Sequence, residues 1–105
     1  MGMAMCGMDK ETVIATLRAH EAELKNAGIV HLHLHGSVVR GVAGPRSDVD
    51  LAAQFDRVKV RGILAEVGLQ NRLSDILGAV ADLAAFDRLE AEVRRNFERE
   101  AELVF

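Results

Sequence analysis

The sequence predicts an α+β domain: a small mixed β-sheet of about four strands, with helices packed mainly on one face. Three observations carry that prediction. Ile29-Val30-His31-Leu32-His33-Leu34-His35 alternates with the period of two that belongs to a strand, not a helix. Asp48-Val49-Asp50-Leu51 repeats that period with two carboxylates on one side and two aliphatic chains on the other. Between and around these stretches, apolar residues recur at helical spacing.

In chain order, residues 1–8 read as a flexible leader and 9–105 as one domain. A helix is expected over Asp9–Ala27, with Asp9 as its N-cap. Val13, Ile14, Leu17 and Leu24 form its inner stripe, and Gly28 ends it. Strand Ile29–His35 leads into the Gly36-Ser37 turn. A short helix is expected over residues 38–42, and Gly44-Pro45 breaks it. A second strand runs from Asp48 to Phe55, and Asp56-Arg57 marks a turn. A long helix spans about Val58–Leu77, with Ile63, Leu64, Val67, Leu73, Ile76 and Leu77 as its apolar set. Gly78–Leu83 is a short strand. The last helix starts at Phe86-Asp87, where Asp87 and Glu90 have capping-box spacing, and Leu103–Phe105 pairs with a sheet edge.

Composition narrows the function classes. With 50% apolar residues the chain is globular, and with four Phe, no Trp and no Tyr it has no stacking platform for single-stranded nucleic acid. The net charge of −3 and the scatter of Lys and Arg show no basic patch, so direct nucleic-acid binding is not expected. Cys6 is the single cysteine, which rules out an internal disulfide and a cysteine zinc cluster and suits a cytoplasmic protein. No stretch is apolar enough to span a membrane.

The chemistry concentrates in residues 35–51. Asp48 and Asp50 on one strand face repel each other, and such pairs ordinarily hold a cation. A strand running into Gly36-Ser37 and a helix start lets backbone amides approach a phosphate. Two hard cations need further carboxylates. Asp82 is the best third acid, being the one acid in the run Ala79–Ala85. Asp56 and Asp75 are explained by turn chemistry and helix surface. Ser47 reads as a cap for the Asp loop. A rival metal site is the face carrying His31, His33 and His35, although three residues of one straight strand converge poorly on a tetrahedral ion.

Gly36-Ser37, ten intervening residues, and Asp48-Val49-Asp50 together resemble the signature of the DNA polymerase β-like nucleotidyltransferase superfamily. The fuller runs Gly-Ser-Val-Val-Arg-Gly, Ser-Asp-Val-Asp-Leu and Leu-Ser-Asp-Ile-Leu-Gly, with the strand carrying Asp82, are similar to its minimal nucleotidyltransferase branch. The resemblance implies a nucleotidyltransferase fold and a two-Mg2+ reaction with ATP or another nucleoside triphosphate. In it Asp48, Asp50 and Asp82 are catalytic metal ligands, Gly36 and Ser37 hold the β- and γ-phosphates, and Arg40 assists with phosphate charge. It also implies AMP transfer to a hydroxyl of a cognate protein. Relatives of this branch often serve as antitoxins of HEPN-domain toxins, so a hetero-oligomer is expected. The alternative is a non-catalytic antitoxin that neutralises its partner by binding. A chain of 105 residues leaves little room for a second domain to grip an acceptor, so the acceptor is expected to arrive on another protein. His35 departs from the family, which commonly has a bulky apolar residue such as Phe before the Gly-Ser turn.

Overall fold

A computed structural model describes residues 9–36 and 48–105. The leader, Ser37, Arg40 and the expected helix over 38–42 lie outside the described residues. The elements are α1 (Lys10–Ala19), α2 (Glu21–Ala27), β1 (Ile29–His35), β2 (Val49–Phe55), α3 (Gly62–Leu77), β3 (Ala81–Ala85), a 3-10 turn (Phe86–Arg88), α4 (Ala91–Glu100) and β4 (Glu102–Leu103). The sheet order is β3-β2-β1-β4, with β1 antiparallel to β2 and β4, and β2 parallel to β3.

Asp9 caps α1 as expected, its Oδ1 accepting the Thr12 N–H at 2.7 Å. The single helix expected over Asp9–Ala27 is instead two, divided at His20. The cause is local competition for a carbonyl. The His20 ring Nδ1 donates to Thr16 O at 3.0 Å, the acceptor an unbroken helix would give to the His20 backbone N–H. That N–H turns to Leu17 O at 3.0 Å. Gly28 closes α2 at φ +117°, and a Cβ there would collide with the Val60 side chain.

The register places Leu34 opposite Leu51, and Val49, Leu51 and Ala53 beside Ala81, Leu83 and Ala85. This face is the core side. It is closed by Val13, Leu17 and Leu24 from α1 and α2, and by Leu69 and Leu73 from α3. The opposite face carries His33, His35, Asp50 and Asp82.

Other element boundaries moved for identifiable reasons. Helix α3 starts at Gly62 rather than Val58. Asp56 Oδ1 accepts the Val58 N–H at 3.0 Å, and Asp56 O accepts the N–H groups of Lys59 and Val60, so residues 56–60 form a turn. Ile63, Leu64 and Val67, assigned to the inner stripe by periodicity, are exposed, Leu64 by 88%. Gly78 is the left-handed cap of α3, which delays β3 to Ala81. Helix α4 begins at Ala91, because Asp87 is held by Arg57 and makes no cap. It packs on the acid-bearing face, so that face is not bare of helix.

Candidate active site

Asp50 and Asp82 are register partners on adjacent parallel strands, so both carboxylates leave the sheet on the same side. Neighbouring strands lie about 4.8 Å apart. Register pairing of this kind can bring two acids toward one small cation, and hard carboxylate oxygens are the donors a divalent ion such as Mg2+ takes. Asp50 is half-buried and Asp82 exposed. Asp48, two residues before Asp50 and just ahead of β2, is also exposed. Among the described residues no three His, Cys, Asp or Glu side chains converge closely enough to hold an ion. The backbone therefore brings Asp50 and Asp82 side by side and puts Asp48 at the entry to the same strand, without gathering the three carboxylates.

Gly36 stands against Asp50. His35 is the register partner of Asp50 across β1 and β2, and Gly36 follows it at φ +85°. A Cβ at Gly36 would overlap Asp50 Oδ2 and lie 3.2 Å from its Cγ. Only a residue with no side chain lets the chain turn here with the Asp50 carboxylate in place.

Helix α3 holds the third acid's strand from outside. Strand β3 is a sheet edge, and the residues on either side of Asp82 give their backbone N–H groups to α3 side chains. The Ala81 N–H donates to Ser74 Oγ and the Leu83 N–H to Gln70 Oε1, each at 2.9 Å. These two contacts satisfy an edge that would otherwise present open donors. Neither contact is legible in the sequence, although Ser74 lies in the Leu-Ser-Asp-Ile-Leu-Gly run.

The histidine face is occupied by packing. His35 stacks on Phe97 of α4 with ring centroids 4.0 Å apart, and its Nε2 lies 3.7 Å from Glu100. His33 meets the edge of Phe86 at 4.9 Å, and Phe86 meets Phe97 at 5.8 Å. Burial, reinforced by the neighbouring His31, lowers the His33 pKa from the usual imidazole value. His31 Nδ1 lies 3.4 Å from Phe105 O at the β4 end. The rings of His33, His35, Phe86 and Phe97 anchor α4, none of whose residues is buried, to the acid-bearing face.

A second cluster is built from long-range ion pairs that no sequence pattern marks. Arg57 grips Asp87 with two 2.7 Å contacts and Glu66 with a third, and Arg88 reaches Glu66 at 2.8 Å. Arg57 also lies over the Phe55 ring at 5.1 Å. The network ties the end of β2, α3 and the 3-10 turn together, so it fixes where the chain leaves β3 after Asp82. Its members come from three separate elements, and no spacing rule links them.

Residues 17–104 match the nucleotidyltransferase domain family. The chain is 30% identical over 97 residues to the protein adenylyltransferase MntA of Thermococcus cleftensis, covering 91% of this chain and 96% of that protein. A solved minimal nucleotidyltransferase superposes with a TM-score of 0.75 at 33% identity, over 90% of this chain and 94% of that one. A toxin–antitoxin complex solved with AMP-PNP gives 0.71 at 16% identity over 88% and 72% of the two chains, which is a likeness of fold. Members of the family generally use a divalent metal. The chain belongs to the nucleotidyltransferase domain family, as a homologue of the MntA-like minimal nucleotidyltransferases.

Proposed function

We propose that this nucleotidyltransferase moves AMP from ATP to a hydroxyl of a partner protein in the cytoplasm, as the antitoxin of a HEPN-domain toxin. The observation that carries the reading is the register pairing of Asp50 with Asp82 beside Gly36. Support for the partner class comes from a relative named a protein adenylyltransferase and from a structure of similar fold, the complex of a tri-AMPylated Shewanella oneidensis HEPN toxin with an MNT antitoxin.

In this reading Asp48, Asp50 and Asp82 would hold two Mg2+ ions, which would supply charge neutralisation on the phosphates and at the acceptor hydroxyl. Gly36 and Ser37 offer backbone amides to the β- and γ-phosphates, and Arg40 adds a cation there. Asp82, on the edge strand and exposed, faces the incoming acceptor and takes its proton. Asp50, half-buried under Gly36, is the fixed member of the pair.

The test is intact mass of a co-expressed HEPN-domain partner incubated with ATP and magnesium. Wild type should add one or more adenylates, and Asp50→Asn none; equal modification by the variant defeats the reading. A second reading, neutralisation by complex formation alone, is favoured by the acids not converging among the described residues. It predicts that Asp50→Asn protects against the toxin as fully as wild type.

A further inference from the structure

We propose that the cleft between the acid-bearing face and α4 receives the polypeptide segment of the partner that carries the acceptor hydroxyl. The inference rests on the nucleotidyl-transfer reading and adds where the second substrate lies. In phosphoryl transfer the attacking and leaving oxygens sit roughly in line on opposite sides of phosphorus. Gly36 lies just past the His35–Asp50 pair, at the end of β1. A pyrophosphate held there leaves from that side of Asp50, so the acceptor has to approach from the other.

Along β2 the other side is Ala52 and then Gln54, about 7 and 13 Å beyond Asp50 at a rise of about 3.3 Å per residue. Across the sheet, His33 pairs with Ala52, and β3 runs from Asp82 into Phe86. A cleft of about 270 Å³ lies there, lined by His33, Gln54, Phe86, Asp87, Arg94 and Glu98. Its chemistry suits a peptide better than a nucleotide. The Gln54 amide both donates and accepts, as a peptide backbone requires. Arg94 and Glu98, one turn apart on α4, offer one charge of each sign, whereas the Asp87 carboxylate is already taken by Arg57. The edge-to-face rings of His33 and Phe86 form an aromatic wall that can take a further aromatic side chain edge-on.

In the step this serves, the acceptor oxygen bonds to the α-phosphorus as the bond from that phosphorus to the bridging oxygen breaks. Pyrophosphate departs toward Gly36, and the hydroxyl proton passes to the Asp82 carboxylate.

The test uses the full chain with its HEPN-domain partner and the variants Gln54→Ala and Arg94→Ala, both at exposed positions. The expected result is a rise of about tenfold in KM for the partner, the scale of one lost interface contact, with ATP affinity by titration unchanged. Weaker ATP binding with an unchanged KM for the partner would assign the cleft to the nucleoside and overturn the proposal, as would no change in either. A benzophenone cross-linker placed at Gln54 should capture the partner peptide that becomes adenylated. Should wild type transfer no AMP, the activity reading fails by itself. Docking is then judged by this cross-link alone, and its absence overturns the proposal.

Discussion

The Asp50 carboxylate occupies the space that a Cβ on Gly36 would need. Gly36→Ala therefore meets two penalties: a left-handed backbone at φ +85°, costing about 1–2 kcal/mol for a residue with a Cβ, and a collision that must displace Asp50. The expected outcome is a modest fall in stability with a far larger fall in AMP transfer. Denaturant unfolding and transfer rate, measured on the same preparation, separate the two effects. A variant that loses stability but transfers normally would show that the close approach has no bearing on catalysis.

Ser74 is placed to control Asp82 without touching substrate. Ser74→Ala removes the acceptor of the Ala81 N–H and should cost about 1 kcal/mol. Hydrogen exchange should quicken at Ala81 before the rest of the sheet, and transfer should slow. Gln70→Ala should act in the same way at Leu83. Uniform acceleration of exchange across the sheet would instead mean a general loss of packing.

The arginine–carboxylate network makes stability depend on acid. The Arg57 hydrogen bonds hold the Asp87 carboxyl below its usual range. At Glu66 burial pushes upward, but hydrogen bonds from Arg88 and Arg57 outweigh it and the net shift is down. Both groups bind protons less readily folded than unfolded. Their stabilisation is thus complete above the ordinary carboxylate pKa values near about 4 and is lost as pH falls below them. Arg57→Ala should lower stability near neutral pH by about 1 kcal/mol, less in high salt, and flatten its decline in acid. Thermal unfolding between neutral and acidic pH measures this. An unchanged acid slope in the variant would assign the decline to other groups.

Phe97 ties α4 to the sheet through His35 and to the 3-10 turn through Phe86. Phe97→Ala should raise exchange throughout Ala91–Glu100 while leaving β1 and β2 protected. Protection of α4 equal to wild type would mean that other contacts hold the helix.

Much of the fold was legible because two periods dominate the sequence. The alternation over Ile29–His35 and Asp48–Leu51 identified both central strands and put Asp50 on the face opposite Leu51. Asp82 stood out as an acid in an apolar run, but its pairing with Asp50 is a long-range relation that periodicity cannot state. The helix break at His20 depends on one ring nitrogen capturing Thr16 O, and helical periodicity is blind to such a contact. Ile63 and Leu64 show the converse, apolar residues at helical spacing that face away from the core. Ser37 and Arg40 lie outside the described residues.

The central claim is that Asp50 and Asp82 act as one unit, and a double-mutant cycle on AMP transfer tests it most directly. Asp50→Asn and Asp82→Asn should each lower the rate by on the order of a thousandfold, and the double variant should be hardly worse than either. Additive losses, or an Asp82→Asn variant within about tenfold of wild type, would contradict a shared centre.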